Sequence, residues 1–275
     1  MELEPSVARH YARPDLLAAI LAALREAGHD PEHPRPEDLA PLDEFHVRGR
    51  EPTAELGRAL GLAPGQQVLD IGSGIGGPSR HLAVAHGCRI TGIDLTEEYC
   101  RVATALAERL GLADRVAYQQ GSALVMPFPD AGFDAAYTQH VAMNIADKPR
   151  LYAEIHRVLK PGARFGLYDL LQGPGGEVLF PVPWARDPAT SFLVTPEALR
   201  GALQEAGFEI LSWRESGAEA RAWLAAQRER QRREGPKPSP IAILFGPDHP
   251  AILRNLARSL EEARVVPTEV ICRRR

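Results

Sequence analysis

Short apolar runs alternate along the chain with longer segments whose apolar residues recur at helical spacing. The apolar runs predict strands at 67–71, 89–93, 116–120, 133–137, 164–169, 208–213 and 265–273. The segments at helical spacing predict helices at 78–86, 97–110, 148–159, 218–234 and 248–263, and a further helix that opens at Thr195 and Pro196. Strands that alternate with helices in this way predict an α/β fold built on a doubly wound, mainly parallel sheet.

The first 60 residues show a different pattern. Helices are predicted at 15–27 and 53–60, separated by a proline-rich linker that contains Pro31, Pro34, Pro36 and Pro41. Residues 1–45 are therefore predicted to form an N-terminal helical extension, and residues 46–275 the main domain. The segment Phe45-His46-Val47-Arg48-Gly49 is interpreted as a lid that passes over a ligand, with an ordinary loop as the alternative.

Composition excludes several functional classes. The 275 residues are 44% hydrophobic, which suffices for a substantial core, and no apolar run approaches the roughly 18 residues that a membrane span needs. A net charge of −4 does not predict nucleic-acid binding. The three cysteines are far apart and form no metal or redox motif, and the start Met-Glu-Leu-Glu-Pro is unlike a signal peptide. We therefore expect a metal-free, cytoplasmic protein.

The segment 68–77, Val-Leu-Asp-Ile-Gly-Ser-Gly-Ile-Gly-Gly, carries the main chemical signal. Asp70 ends the first strand, and a turn that contains Gly72, Ser73, Gly74 and Gly76 follows. A carboxylate at this place would repel a dinucleotide's pyrophosphate but would attract a ligand with a cationic end. S-adenosylmethionine, with its α-amino group and sulfonium, is such a ligand.

Other strand ends add candidate residues. Asp94 ends the second strand, which lies beside the first in this fold, so its carboxylate is predicted to bind a ribose. The third strand ends near Ser122, which is predicted to face the base or to be a plain turn serine. The fourth ends before His140, at the topological switch point. His140 and His46 are competing candidates for a base, with a purely structural role for each as the alternative.

The run 68–82, with Ile93-Asp94-Leu95, the segment 126–134 and the segment 154–162, resembles the motifs of class I S-adenosylmethionine-dependent methyltransferases. The resemblance covers roughly residues 42–215. It is greatest to the ubiquinone-biosynthesis C-methyltransferase-like branch and extends to sarcosine/dimethylglycine, sterol and tocopherol methyltransferases. It implies a Rossmann-like seven-stranded sheet with the last strand antiparallel, and a main domain that binds S-adenosylmethionine.

The resemblance also implies roles for individual residues. Asp70, Gly72 and Gly74 would lie against the methionine part of the cofactor, with Gln139 nearby. Asp94 would bind the ribose, Leu95 would pack on the adenine, and Ser122 and Ala123 would flank it. Many relatives carry Gly-Asp-Ala where this chain has Gly121-Ser122-Ala123, so the family's carboxylate contact is lost at Ser122.

The predicted function is methyl transfer to a small-molecule acceptor by in-line displacement. The predicted acceptor pocket contains Phe45, Asn144, Trp184 and Phe192. A nucleotide-dependent oxidoreductase and a cofactor-binding protein without catalysis are the alternatives. The sequence names neither the acceptor nor the oligomeric state.

Overall fold

The computed structural model describes residues 3–44, 46–235 and 242–275. Within them the α-helices are α1 (Leu3–Tyr11), α2 (Leu16–Glu26), α3 (Pro36–Asp43), α4 (Arg50–Leu60), α5 (Gly77–His86), α6 (Glu97–Arg109), α7 (Lys148–Val158), α8 (Pro196–Glu205), α9 (Gly217–Glu234), α10 (Ala242–Phe245) and α11 (His249–Glu261). The strands are β1 (Gln67–Ile71), β2 (Arg89–Asp94), β3 (Val116–Gln120), β4 (Phe133–Gln139), β5 (Leu159–Gln172), β6 (Phe208–Glu215) and β7 (Val265–Arg274). Short 3-10 helices cover Ala142–Asn144, Pro188–Thr190 and Gly246–Asp248.

One seven-stranded sheet has the order β3-β2-β1-β4-β5-β7-β6. The strands β1 to β5 pair in parallel, and β7 pairs antiparallel with both β5 and β6. The predicted fold, including the antiparallel last strand, is therefore confirmed. Because β1 lies between β2 and β4, the chain reverses direction across the sheet there, and ligands of such folds bind at the carboxyl ends of these strands.

Apolar side chains fill both faces of the sheet. On one face, Leu69 and Phe165 are fully buried in a cluster with Tyr152 of α7. On the other, Val68 packs with Leu56 of α4. Burial of each such side chain stabilises the folded state by roughly 1.5–3 kcal/mol. This packing fixes the positions of the strand ends at the carboxyl edge of the sheet.

The two ends of the chain pack against each other. Leu16 and Ile20 of α2 share a buried cluster with Leu39 of α3, Leu244 of α10 and Ile252 of α11. This cluster packs on α6, and the end of α1 packs against the cluster.

The prediction of a proline-rich linker is wrong for residues 36–43, which form α3. Pro36 is at the first position of the helix, where its missing N–H is not needed, and the Asp38 carboxylate accepts a hydrogen bond from the backbone N–H of Arg35. Helices α1 and α10 were not predicted. In contrast, the Thr195 cap is confirmed, because its hydroxyl accepts from the backbone N–H of Ala198.

Five strands run further than their apolar patterns: β2, β4, β5, β6 and β7. β4 continues to Gln139, and β5 begins at Leu159 and reaches Gln172, well beyond the predicted 164–169. The extension of β5 follows from its partner, since β7 pairs with it without interruption from Arg164 to Gln172.

Candidate functional site

A large cavity of about 610 Å³ opens at the carboxyl edge of the sheet. Its walls come from the ends of β1, β2, β3 and β4, and its cover comes from α1, α10 and the loop after β5. The volume lies within the range that holds drug-sized ligands.

Asp70 stands at the end of β1 and is 3% exposed. The Ser79 hydroxyl donates to its Oδ2 at 2.5 Å. Burial raises the pKa of the Asp70 carboxyl to about 6. No lysine or arginine in the described ranges pairs with it, so its charge is available to a cationic group on a ligand.

The turn after β1 needs glycine at Gly72. Its φ is 75°, and an added Cβ would collide with the side chain of Val141. Ser73 also lines the cavity, and its buried hydroxyl has no hydrogen-bond partner within the described part of the chain. A buried hydroxyl without a partner is rare and favours a ligand atom as its missing partner.

Asp94 stands at the end of β2. Its Oδ2 accepts from the backbone N–H of Gly74 at 2.9 Å, and its Oδ1 accepts from that of Thr96 at 2.8 Å. Burial raises the pKa of this carboxyl from its ordinary value. Each carboxylate oxygen has a second lone pair, so both remain able to accept from a diol.

His140 follows β4 with a φ of 55°, which is uncommon for a residue with a side chain. Its ring stacks on Tyr168 at 5.3 Å between centroids. Its Nε2 is buried without a hydrogen bond to any described residue, and burial holds the pKa of the imidazole well below 6.5. His140 is therefore a neutral imidazole on the cavity wall at pH 7.

Two buried charges fix the loop after His140. The Asp169 carboxylate accepts from the backbone N–H groups of Val141 and Ala142 at 2.9 and 3.1 Å. The Lys148 ammonium donates to the carbonyls of Ala142 and Phe192 at 2.8 and 2.7 Å. Burial raises the pKa of Asp169 to about 7 and lowers that of Lys148 to about 8.

His46 lies beside His140, with 5.3 Å between ring centroids and an angle of 85° between the rings. Its Nδ1 is 3.5 Å from Oε2 of Glu44. The same Oε2 accepts from the Thr53 hydroxyl at 3.0 Å, and Oε1 accepts from Arg50 at 3.3 Å. Burial alone would raise the pKa of Glu44, but these three partners together lower it.

Helix α1 closes the cavity from above. The Tyr11 hydroxyl donates to Oδ1 of Asn144 at 2.8 Å, and Nε2 of His10 lies 3.0 Å from the carbonyl of Pro183. The Ser122 hydroxyl hydrogen-bonds Glu4. These contacts tie one helix to the loops that follow β3, β4 and β5.

Most sequence-predicted site residues meet at this cavity. Its lining includes Asp70, Gly72, Ser73, Gly74, Asp94, Leu95, Ala123, Gln139, His140, His46, Asn144 and Trp184. Three others lie outside the lining: Gly76 beneath Tyr118, Ser122 against Glu4, and Phe192 bonded to the Met143 carbonyl through its backbone N–H. Phe45 lies outside the described residues.

Sequence reasoning missed several lining residues. Tyr11 and Tyr99 face each other at 6.0 Å between ring centroids, and Leu244 and Phe245 enter from near the chain's end. The spacing of Val7 and Tyr11 on one helical face was a usable signal for α1. Nothing local marks Leu244 and Phe245 as pocket residues.

The described ranges meet neither the requirements of a metal centre nor those of a membrane span. They hold no cluster of three or more histidine, cysteine or carboxylate side chains that suits a metal ion. Nor do they hold a helix long and apolar enough to span a membrane.

Comparison with known sequences gives consistent findings. A family model described as a methyltransferase domain matches residues 69–167. The O-methyltransferase resE of Aspergillus sclerotiorum is 32% identical over 226 residues, which cover 78% of this chain and 80% of that protein. The sterol 24-C-methyltransferase ERG6B of Gibberella zeae is 40% identical over 116 residues, or 42% of this chain. The match covers only 30% of that sterol enzyme's length.

Solved structures share the fold. A geranyl diphosphate methyltransferase in complex with GPP and sinefungin covers the whole chain with a TM-score of 0.73 at 17% identity. Phosphoethanolamine N-methyltransferase 2 of Haemonchus contortus, with phosphomonomethylethanolamine and S-adenosylhomocysteine, gives 0.70 at 20% identity, over 84% of this chain and 55% of that one. The [4+2]-cyclase SpnF gives 0.64 at 27% identity, over 81% of this chain and 80% of that one.

Proposed function

Since the chain belongs to the class I S-adenosylmethionine-dependent methyltransferases, we propose that it transfers a methyl group from S-adenosylmethionine to a small-molecule acceptor. The observation that carries the proposal is a pair of carboxylates, the buried Asp70 and the half-buried Asp94, on neighbouring strand ends of one cavity. A dinucleotide would place a pyrophosphate near Asp70, which that buried carboxylate would repel.

The residues of the cavity suit this cofactor. Asp70 would receive the α-amino group, and the unpartnered Ser73 hydroxyl lies on the same turn. Asp94 would accept from both ribose hydroxyls, because its backbone donors leave a lone pair on each oxygen. Leu95 and Ala123 would line the adenine side.

When bound, S-adenosylmethionine supplies an activated methyl group for a single in-line displacement, so the chain's own residues have to align, desolvate and deprotonate. Helix α1 and the loop after β5 cover the cavity and would limit the access of water to it. The acceptor's proton passes to an imidazole of the His46–His140 pair. The Glu44 carboxylate beside His46 balances the positive charge that such a transfer creates.

The N-terminal extension and lid, residues 1–45, would act with the main domain, residues 46–275, in covering the ligands. The hydrogen bonds of Glu4 and Tyr11 to the loops after β3 and β4 support this role. We further propose a cytoplasmic protein that does not bind nucleic acid. Its net charge of −4 and its three buried, unpaired cysteines support this placement.

The direct test is incubation with methyl-labelled S-adenosylmethionine and a panel of phenols, acids, amines and activated carbon acids. Mass spectrometry then follows the label. Transfer to at least one small molecule, with release of S-adenosylhomocysteine, is the expected result. Binding of the cofactor with no transfer to any panel member would contradict the proposal.

A second candidate function is use of the cofactor fold without methyl transfer. The similarity to the [4+2]-cyclase SpnF, at 27% identity over 81% of this chain, is the observation that favours it. In that case substitution of His140 would leave cofactor binding intact, and no labelled methyl product would form with the unaltered protein.

A further inference from the structure

The distal half of the cavity is the part that lies beyond the strand ends of β1 to β3. It is formed by α1, α10 and the segments that follow β4 and β5. Apart from the two histidines, its main side chains are Val7, Tyr11, Met143, Trp184, Leu244 and Phe245. This surface is largely apolar, and its polar groups are the Tyr11 hydroxyl, the Asn144 amide and the carboxylates of Glu4 and Asp147.

Every charged side chain that lines the cavity within the described ranges is an acid. They are Glu4, Asp43, Asp70, Asp94 and Asp147. Three of these acids, Glu4, Asp43 and Asp147, lie away from the ends of β1 and β2 and are bonded within the protein. Asp43 pairs with Arg80 at 2.5 Å, Asp147 caps α7 through the backbone N–H of Arg150, and Glu4 accepts from Ser122. Asp70 and Asp94 stand at the ends of β1 and β2, where the cofactor is proposed to bind, and each of the acids elsewhere in the lining already accepts a hydrogen bond within the protein.

Cations near the walls are also engaged elsewhere. The Lys148 ammonium donates to backbone carbonyls, including those of Ala142 and Phe192. The Arg13 guanidinium donates to the Leu244 carbonyl at 2.8 Å, and Arg80 to the Ile75 carbonyl at 2.6 Å. A phosphate in the distal half would therefore be buried without the lysine or arginine that such groups require.

Building on the proposed function, we infer that the acceptor is an uncharged, largely apolar molecule with one weakly acidic X–H group that faces the His46–His140 pair. The X–H group would donate a hydrogen bond to the buried Nε2 of His140, which has no partner among the described residues. In the reaction the X–H bond breaks and its proton goes to an imidazole. The new X–CH₃ bond forms as the S–CH₃ bond breaks, leaving a thioether.

The charge inferred for the acceptor differs from that of the molecules bound to two structural neighbours. One is bound to phosphomonomethylethanolamine and the other to geranyl diphosphate, and both ligands carry phosphate groups. The shared fold therefore does not fix the charge of the acceptor. In this chain the distal half offers histidine and apolar side chains where an anion would need a cation.

The test compares three probes of one shape: 2-naphthol, 2-naphthyl phosphate and protonated 2-naphthylmethylamine. The whole protein is first saturated with S-adenosylhomocysteine, and calorimetry then measures the affinity of each probe. Uptake of S-adenosylhomocysteine tests the proposed function separately, before any probe is added.

We expect 2-naphthol to bind at least tenfold more tightly than either charged probe. A charged probe that binds as tightly as 2-naphthol would overturn the inference, and so would binding of none of the three at millimolar concentration.

A variant tests the physical cause. Val7→Lys places a cation on the roof of the distal half without touching the sheet, and Val7→Gln is the matched uncharged control. The lysine variant should bind 2-naphthyl phosphate at least tenfold more tightly than the glutamine variant does. Equal affinities in the two variants would mean that charge in the distal half does not govern selection.

Discussion

The two halves of the cavity are built in different ways. In the cofactor half, Asp70 and Asp94 stand on adjacent parallel strands, and the glycine turn donates a backbone N–H to Asp94. In the distal half, the walls come from α1, α10 and two loops, held by single contacts such as the Tyr11–Asn144 hydrogen bond. The sheet therefore holds the side chains proposed for the cofactor, while helices and loops remote in sequence line the part proposed for the acceptor.

The histidine pair lies where the two halves meet, and its removal should give the largest effect. His140→Gln keeps a hydrogen-bonding side chain but removes the base, so turnover should fall by about 10² to 10⁴-fold. Affinity for S-adenosylhomocysteine should stay within about twofold, since a neutral hydrogen bond contributes little. Steady-state kinetics and calorimetry measure the two quantities.

His33→Gln is the control for this change, because His33 is exposed and does not line the cavity. Full activity of His140→Gln would assign proton removal to another group, with His46 the first to test.

The next effect concerns the cofactor half alone. Asp94→Asn should weaken S-adenosylhomocysteine binding by about 100-fold, because the change removes charge from two hydrogen bonds to the ribose. Calorimetry measures it, and Asp114→Asn, at an exposed position, is the control. If Asp94→Asn changed acceptor KM but not cofactor affinity, the division of the cavity into two halves would be wrong.

A smaller effect on the affinity for S-adenosylhomocysteine should appear when the pH is lowered. Burial raises the pKa of Asp70 to about 6, so the carboxyl becomes neutral as the pH falls through that value. The ionised form attracts the ligand's ammonium group, so affinity for S-adenosylhomocysteine should be full above pH 7 and about tenfold lower at pH 5. Asp94, whose pKa burial also raises, acts in the same direction.

Asp70→Asn isolates the contribution of Asp70, since the variant has no charge to lose. Its affinity should be lower at pH 7.5 and vary less with pH than that of the unaltered protein. Identical pH profiles for the two proteins would place the titrating group elsewhere.

The smallest effect belongs to the cover of the distal half. Tyr11→Phe removes one hydrogen bond to Asn144, of about 1 kcal/mol, so acceptor KM should rise about fivefold. Cofactor affinity should not change. In a double-mutant cycle with Asn144→Ala, the two changes should be less than additive, because they remove the same contact.

The difference between the two halves also explains which parts of the fold and of the site could be predicted from the sequence. β1 was predicted at its observed bounds, because a continuous apolar run before a glycine turn is a local signal. Asp70, Asp94 and His140 were found for the same reason, since each directly follows or ends a strand. The sheet order then brings them together.

The distal half gave weaker local signals. Helix α1 was not predicted because its apolar pattern extends over only nine residues. Helix α3 was not predicted because its prolines are typical of a linker. Lys148 and Asp169 act through backbone atoms of other segments, so only the folded chain relates them to the loop after His140. Leu244 and Phe245 reach the cavity through tertiary packing with α2.

The most direct test of the central claim is a calorimetric titration of the whole protein with S-adenosylhomocysteine and, in parallel, with NAD at pH 7.5. Saturable one-to-one binding of S-adenosylhomocysteine with no measurable uptake of NAD is the expected result. Tight binding of NAD without binding of S-adenosylhomocysteine would contradict the assignment of Asp70 and Asp94 as the carboxylates that hold the methyl donor.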